Sequence, residues 1–281
     1  MLRFGPGGIP LAVQKEGIEK AIVWCGENGL SCMEMEFVHS TWLKENKYEA
    51  VRELSRKHDV ALTAHGSYYI NLNAKEEEKR AASRNRVLSA AYATAAVGGR
   101  SVTFHPAYYL GQDPEKVYQV VKEQMQLILD ELAENDVKVL LSPETTGKPT
   151  QFGHYKELVR LAKELPIGIC VDFAHLHARS NGEYNSYEEF CSVLQHIKDE
   201  LGQERLENMH IHLSGIAYGP KGEKHHLVME ESDYNFADLF RAFKKFNVGG
   251  CLISESPVIE EDALRFKELY EKVSDIDKQH I

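Results

Sequence analysis

Residues 101–144 read SVTFHPAYYLGQDPEKVYQVVKEQMQLILDELAENDVKVLLSPE. The stretch opens with a short apolar, β-branched run, Ser101–Pro106, and closes with another, Lys138–Glu144. Such runs between turn signals are typical of strands. Between them lies a helix-like stretch, Pro114–Asn135. Asp113 is the predicted N-cap of this helix, and proline occupies the first helical position. A strand, a helix and a strand in this order indicate parallel strands joined by a crossover.

The same alternation extends along the whole chain. The predicted strands are Leu2–Gly5, Cys32–Phe37, Ala61–Gly66, Ser101–Pro106, Lys138–Glu144, Gly168–Phe173, Asn208–Ser214 and Gly250–Ser256. The helix-like stretches include Glu76–Val97, Pro114–Asn135, Gly153–Leu165, Ser186–Leu201, Phe236–Phe246 and the charged segment Leu264–Val273. Eight such units in 281 residues predict an α/β fold, a closed (β/α)8 TIM barrel, for which ~250 residues are typical.

A doubly wound open sheet is the alternative fold. Gly5-Pro6-Gly7-Gly8, which follows the first strand, lacks the G-x-G-x-x-G spacing of a dinucleotide-binding loop. No linker rich in Pro, Gly or Ser and no break in composition divides the chain. We therefore expect a single barrel domain over residues 1–281.

Composition is that of a globular protein. Lys and Arg number 33 and Asp and Glu 43, which gives a net charge of −10, and 43% of the residues are hydrophobic. This acidic balance excludes non-specific coating of nucleic acid, which depends on basic residues. No apolar run approaches ~18 residues, so no membrane span is expected. With no secretory signal at the N-terminus and five widely spaced cysteines, we expect a cytoplasmic protein with buried, reduced thiols.

Six consecutive predicted strands, the third to the eighth, end in imidazole or carboxylate side chains. These are His65, His105, Glu144, Asp172, His212 and Glu255. In a parallel barrel these strand ends meet on one face, where active sites are built. Carboxylates gathered there would repel each other without a cation, and imidazole with carboxylate is the ligand set of zinc, manganese or iron. The pattern predicts a metal site at the C-terminal face of the strands.

Two loop segments add further ligand types. His175 follows Asp172 by three residues, and Glu223 precedes His225 and His226 in the predicted loop after strand seven. With these, the ligands exceed the needs of one tetrahedral ion, which favours two or three metals and phosphoester hydrolysis. A solvated position for the two loop histidines is the alternative.

Three further polar residues lie on predicted strands. His210 shares a strand face with His212 and is expected one layer deeper in the barrel. Glu34 and Glu36 share a face of the second strand, from which Glu36 could reach the mouth.

Several of these segments together resemble the endonuclease IV family of abasic-site endonucleases, within the xylose-isomerase-like barrels. The segments are Ala64-His65-Gly66-Ser67-Tyr68-Tyr69-Ile70-Asn71-Leu72, Phe104-His105-Pro106, Glu144-Thr145-Thr146-Gly147, Cys170-Val171-Asp172-Phe173-Ala174-His175, Met209-His210-Ile211-His212-Leu213-Ser214, Lys224-His225-His226 and Ser254-Glu255-Ser256-Pro257. They occur in the family's order and cover roughly residues 60 to 257.

The resemblance implies about three zinc ions per chain, with Mn²⁺ or Fe²⁺ in part of the sites. By motif, His65, His105 and Glu144 would hold the first ion; Glu144, Asp172, His212 and Glu255 the second; His175, Glu223 and His225 the third. Glu144 and Glu255 would serve catalysis, with Glu255 resembling a carboxylate that acts as general base. The implied reaction is zinc-dependent hydrolysis of the DNA phosphodiester 5′ to an abasic site, in base excision repair.

The implied partner is damaged duplex DNA, bound by a monomer. Tyr68 matches a family tyrosine at the DNA groove and Tyr69 follows as a possible wedge, with packing at the barrel mouth as the alternative. Basic candidates for phosphate contact are Lys148, Arg179, Lys221 and Lys224. The chain departs from the family at Glu223, where the family has Asp, and Phe37–Trp42 replaces an arginine loop.

Two other functions remain open at this point. A sugar isomerase or epimerase on the same barrel would need one metal, and such enzymes resemble this chain at Glu144, Asp172, His212 and Glu255. The additional ligands favour the endonuclease. A DNA-damage-binding protein without catalysis is the third possibility, and nothing in the ligand set indicates lost chemistry.

Overall fold

The computed structural model describes residues 1–273 and arranges them as strands that alternate with helices. Within that range the barrel strands are β1 Leu2–Pro6, β2 Cys32–Glu36, β3 Ala61–His65, β4 Ser101–Phe104, β5 Leu140–Pro143, β6 Cys170–Asp172, β7 Met209–Leu213 and β8 Gly250–Ser254. The helices are α1 Ile18–Glu27, α2 Tyr48–Lys57, α3 Glu77–Ala96, α4 Pro114–Glu134, α5 Tyr155–Glu164, α6 Phe173–Arg179, α7 Tyr187–Leu201, α8 Gln203–Glu207, α9 Phe236–Lys245 and α10 Ile259–Lys272. At least one helix follows every barrel strand.

The strands close into a barrel. Parallel pairing runs from β2 through β3 and β4 to β5, and from β6 through β7 and β8 to β1. Single parallel bridges between Gly7 and Glu34 and between Glu144 and Cys170 join these two sheets at both seams. The predicted (β/α)8 barrel is therefore confirmed, and the open-sheet alternative is wrong.

Strand β7 shows how the sequence aims polar side chains into the barrel. Met209, Ile211 and Leu213 belong to the hydrophobic core beneath the surrounding helices. Because side chains alternate along a strand, His210 and His212 point the other way, into the barrel interior. All five residues are buried. Packing of the outward-facing side chains against the helices thus fixes the positions of the inward-facing histidines.

The predicted strands are all present, mostly with shorter bounds. His105, Glu144 and Glu255 each lie just beyond the last residue of a strand rather than in it. Asp113 caps α4 as predicted, since its side chain accepts hydrogen bonds from the backbone N–H groups of Glu115 and Lys116 at 3.1 and 3.2 Å.

Two segments predicted as loops are regular structure. Phe173–Arg179 forms α6, so His175 lies in the first turn of a helix. Gly215–Gly219 and Gly222–Leu227 form an antiparallel hairpin with an irregularity between Ala217 and Tyr218. The hairpin extends from the end of β7 over the barrel mouth, so the predicted loop position of Glu223, His225 and His226 is wrong.

Two further expectations concern the burial of the cysteines and the absence of a membrane-spanning helix. Cys25, Cys32, Cys170 and Cys251 are buried, as predicted, and Cys191 is half-buried. Among residues 1–273, no helix combines the length and the apolar surface that crossing a bilayer requires.

Gly5 marks the closest approach between β1 and β2. A Cβ atom placed there would lie 1.8 Å from the carbonyl oxygen of Cys32. We expect Gly5→Ala to lower the free energy of unfolding by about 3 kcal/mol or more, because both backbones belong to the barrel and cannot yield. Urea unfolding measures the change. Gly219→Ala is the control, since its Cβ would meet only the end of the Lys224 side chain. Equal stability of the two variants would contradict the argument.

Candidate metal centre

Imidazole and carboxylate side chains converge at the C-terminal end of the barrel. Three of the groups whose ligand atoms lie within 4.8 Å of one another overlap at the barrel mouth: His65, His105 and Glu144; Glu144, Asp172, His212 and Glu255; and Asp172, His175 and His226. Because adjacent groups share Glu144 and Asp172, they form one continuous cluster. The strand ends predicted from the sequence thus lie together as the barrel geometry requires.

Each of three histidines directs one ring nitrogen to a backbone carbonyl. His65 Nδ1 lies 2.7 Å from the Gly66 oxygen, His175 Nδ1 2.9 Å from the Thr145 oxygen, and His226 Nδ1 2.9 Å from the Glu255 oxygen. A carbonyl oxygen only accepts, so the ring proton sits on Nδ1. The Nε2 lone pair of each ring is then directed into the cluster, the arrangement common to metal-binding histidines.

The Nε2 atoms of His175 and His226 lie 3.4 Å apart. With a proton on each Nδ1, two lone pairs would face each other, and either a shared proton or a metal cation between them removes this repulsion. Two nitrogen ligands at ~2.0–2.1 Å from a tetrahedral zinc ion are separated by roughly 3.3 Å. Glu223 adds a carboxylate oxygen 3.6 Å from His175 Nε2. The spacing and the donor set fit a bound divalent ion.

The Glu34 carboxylate contacts the ring of His212 from deeper in the barrel. His212 Nε2 lies 2.8 Å from Glu34 Oε1, and His210 Nε2 lies 2.8 Å from Glu34 Oε2. Thr63 donates a hydrogen bond of 2.8 Å to Glu34 Oε2. His212 Nδ1 is therefore free to face the carboxylates of Glu144 and Glu255, at 3.3 and 3.4 Å. His210 lies one layer deeper, as predicted, while the role of Glu34 was not predicted.

Imidazole neighbours keep two central carboxylates, Glu144 and Glu255, ionised, whereas burial raises the pKa of Asp172. Burial opposes the charge of Glu144, but the imidazoles of His105 and His212 outweigh it and hold the pKa of Glu144 well below its usual range. Burial likewise opposes the charge of Glu255, yet His212 lowers its pKa to about 2. Glu144 Oε1 and Asp172 Oδ2 are buried without a hydrogen-bond partner among the described residues. Such acceptors favour a cation.

The two carboxylate oxygens of Asp172 make different contacts. Its Oδ1 atom accepts a hydrogen bond of 2.7 Å from the backbone N–H of His175 and so caps α6. Its Oδ2 atom faces the cluster, 3.4 Å from His175 Nδ1. The cap fixes the carboxylate and places His175 one helical turn away on the same side.

Glu36 also reaches the mouth. Its ligand oxygen and those of Glu34 and Glu255 lie within 4.8 Å of one another. Burial raises the pKa of Glu36 to about 8, and the charges of Glu34 and Glu255 add to this effect. The sequence already indicated that Glu36 shares the inward face of β2, although no motif singled it out.

The structure separates the two histidines of the hairpin. His225 is exposed, whereas His226 is half-buried and faces His175. Neighbouring residues on a strand point to opposite faces, so only one of the pair can reach the cluster. The structure therefore does not bring His225 to the other ligands, and His226 occupies the position that the motif assigned to His225.

Glu223 lies beside His175. Gly147 makes room for it, since a Cβ at that glycine would lie 2.7 Å from Glu223 Cβ. The Glu223 N–H also donates a hydrogen bond of 2.9 Å to the Gly147 carbonyl. The hairpin is thus attached to the segment that follows β5, and its carboxylate joins the cluster from above.

Two exposed tyrosines rim the cluster. Tyr68 is 58% and Tyr69 61% exposed, and the Tyr68 ring lies 5.6 Å from the His65 ring. Of the basic residues predicted to contact phosphates, Lys221 and Lys224 are exposed, but the Arg179 guanidinium is already hydrogen-bonded within the protein. Arg179 donates to the carbonyls of residues 146, 148 and 151 and holds that turn together.

Comparison with known proteins places the chain among barrels of this type. A family model described as xylose isomerase-like TIM barrel matches residues 22–272. An uncharacterized protein of Methanocaldococcus jannaschii is 41% identical over 273 residues, which are 97% of this chain and 98% of that protein. A probable endonuclease 4 of Petrotoga mobilis is 26% identical over 226 residues, 78% of this chain and 76% of that protein.

Two solved structures show the same fold. Endonuclease IV of Thermus thermophilus superposes with a TM-score of 0.75 at 22% identity, over 96% of this chain and 99% of that one. A D-tagatose 3-epimerase-like protein superposes with a TM-score of 0.74 at 18% identity, over 99% of both chains. At these identities the two structures establish the barrel fold alone. The predicted resemblance to endonuclease IV is confirmed by the named relatives together with the fold.

The hairpin histidines provide a direct test of this geometry. We expect His226→Ala to weaken zinc binding at least tenfold, because it removes the nitrogen that faces His175. His225→Ala is the matched control, and its zinc affinity should stay within about twofold of wild type. Competition with a chromophoric chelator measures both affinities, with circular dichroism to verify folding. The opposite order of effects would restore the assignment made from the motif.

Proposed function

The chain belongs to the xylose isomerase-like TIM barrel family, and we propose that it is a zinc-dependent abasic-site endonuclease. The proposed reaction is hydrolysis of the DNA phosphodiester 5′ to an abasic site, which leaves a 3′-hydroxyl. The proposed ligands are His65, His105, Glu144, Asp172, His175, His212, Glu223, His226 and Glu255.

The observation that carries the proposal is the extent of the cluster. Glu144, Asp172, His212 and Glu255 alone would be a sufficient single-metal site. His65 and His105 extend the cluster on one side of Glu144, and His175 and His226 extend it beyond Asp172. A site that spans several ions supports phosphodiester chemistry, in which both the attacking and the leaving oxygen need stabilisation.

Residues of the chain would position the reacting groups. Glu255 stays ionised, since its pKa is lowered to about 2 by His212 against the effect of burial, and it is partly accessible at the mouth. It is therefore the proposed acceptor of the proton that leaves the attacking water. Bound divalent ions would supply the remaining chemistry by lowering the pKa of water and neutralising charge that develops on the phosphate.

Tyr68 and Tyr69 would contact the substrate. Their rings are more than half exposed beside His65, where an unpaired sugar could be held against an aromatic surface. An abasic nucleotide can be extruded cheaply because it has no base to unstack. This position supports selection of the lesion rather than of an intact nucleotide.

Sugar epimerisation is the second candidate. The likeness to a D-tagatose 3-epimerase-like protein, with a TM-score of 0.74, favours it. It would use the four central ligands and would leave the other five, His65, His105, His175, Glu223 and His226, without a part in the reaction.

The decisive experiment compares two DNA duplexes. We expect purified protein, without added magnesium, to cut an end-labelled duplex 5′ to a single abasic site and to leave the matched intact duplex uncut. Glu255→Gln should lose at least 100-fold in kcat, because a charged ligand and proton acceptor is removed. Glu261→Gln, an exposed position on α10, should keep the wild-type rate.

Two results would contradict the endonuclease. One is equal cutting of both duplexes. The other is formation of the C3 epimer from D-tagatose by protein that does not cut abasic DNA. A Glu255→Gln rate within about threefold of wild type, equivalent to only ~0.6 kcal/mol of barrier, would contradict the roles of Glu255 as ligand and proton acceptor.

Metal content separates the two candidates independently of any assay. We expect about three divalent ions per chain, mainly zinc, in protein purified without chelator or added metal. Elemental analysis against protein concentration gives the ratio. A reproducible value near one would contradict the endonuclease and favour the epimerase.

A further inference from the structure

We propose that a cavity beside the metal cluster, centred on Arg86, binds a second phosphate of the DNA strand, away from the phosphate that is cleaved. The proposal rests on the proposed endonuclease function and identifies the group that holds the strand next to the cluster. None of the basic residues predicted from the sequence lines this cavity.

The cavity lies between the segment after β2 and helix α3. It has a volume of about 370 Å³. Its polar lining consists mainly of His39, Ser40, Thr41, Asn85, Arg86 and Ser89. Ser89 Oγ donates a hydrogen bond of 2.9 Å to Thr41 Oγ1 and so connects the loop to the helix.

Charge makes this cavity selective for an anion. The chain carries a net charge of −10, yet no acidic side chain lines this cavity. Hydroxyl, amide and guanidinium groups are the donors that bind phosphate oxygens in DNA complexes. The cavity therefore offers several donors and one permanent positive charge in a chain whose net charge is negative.

Arg86 differs from the other arginines of its helix. Arg80 and Arg84 both pair with Glu77, at 2.7 and 3.0 Å. Arg86 forms no ion pair with any residue in the described range 1–273. Its guanidinium instead lies 5.8 Å from the centre of the Tyr69 ring. An arginine held by an aromatic ring keeps its donors available for a phosphate.

Aromatic contacts connect this cavity to the cluster. The His65 ring contacts Tyr68 at 5.6 Å, and His39 contacts both Tyr68 and Tyr69, at 6.4 and 6.3 Å. A strand whose cleaved phosphate lies at the cluster would therefore follow the two tyrosines towards Arg86. Because consecutive phosphates are spaced by about 3.4 Å along a strand axis, a phosphate only a few nucleotides away can reach it.

The experiment measures binding without cleavage, in protein loaded with zinc and carrying Glu255→Gln. We expect Arg86→Ala in this background to weaken binding of the abasic duplex about tenfold and to reduce the slope of log K against log salt by about one. Arg86→Lys should restore the slope, since it keeps the charge. Arg84→Ala is the matched control and should keep both affinity and slope.

A second measurement locates the phosphate. Neutral methylphosphonate linkages are placed one at a time along the abasic strand. We expect one position outside the cleavage site to weaken binding of the parent protein and to have no effect on the Arg86→Ala protein. Competition by inorganic phosphate or deoxyribose 5-phosphate tests whether a small phosphate ester is the occupant instead.

The outcomes separate this proposal from the proposed function. An unchanged slope in Arg86→Ala, or no linkage whose effect depends on Arg86, overturns the phosphate site while abasic-site cleavage stands. Competition by a small phosphate that depends on Arg86, without a change in DNA binding, overturns the DNA assignment. A parent protein that binds no DNA overturns both proposals.

Discussion

The arrangement of the barrel mouth depends on one electrostatic constraint. Carboxylate and imidazole side chains are packed against one another at the barrel mouth. Burial of such groups without a partner costs several kcal/mol each, yet Glu144, Asp172 and His212 are fully buried there. Bound divalent cations would remove this cost and would link the stability of the mouth to their binding.

The backbone, more than other side chains, aims the imidazoles. The carbonyls that accept from His65, His175 and His226 belong to Gly66, Thr145 and Glu255. Each of these residues is, or directly follows, a member of the cluster. For His175 and His226 the segment that contributes one ligand orients another, so a shift of the strand end at Glu144 or at Glu255 would disturb two ligands together. Strand ends supported by the outward-facing core, as in β7, resist such a shift.

The sequence predicts the barrel and the strand-end ligands because both follow from short-range rules. Apolar runs define the strands, alternation defines the inward face, and parallel closure brings His65, Glu144 and His212 together. The choice between His225 and His226 does not follow from such rules. It depends on the register of a hairpin that contains an irregularity, and one residue of register reverses the face that each histidine occupies. Glu34 was missed for a related reason, since its partners His210 and His212 belong to a strand far away in sequence.

The four central ligands and the groups that surround them come from different parts of the fold. The four central ligands lie at or just beyond the ends of barrel strands, and barrels that superpose equally well include an endonuclease and an epimerase-like protein. The segments above the strands add further groups: the hairpin provides Glu223 and His226, and the segments after β2 and β3 provide His39, Tyr68 and Tyr69. Segments outside the barrel can change without loss of the core. The reaction of such a protein is therefore decided by which groups its loops add to a centre that the fold already holds.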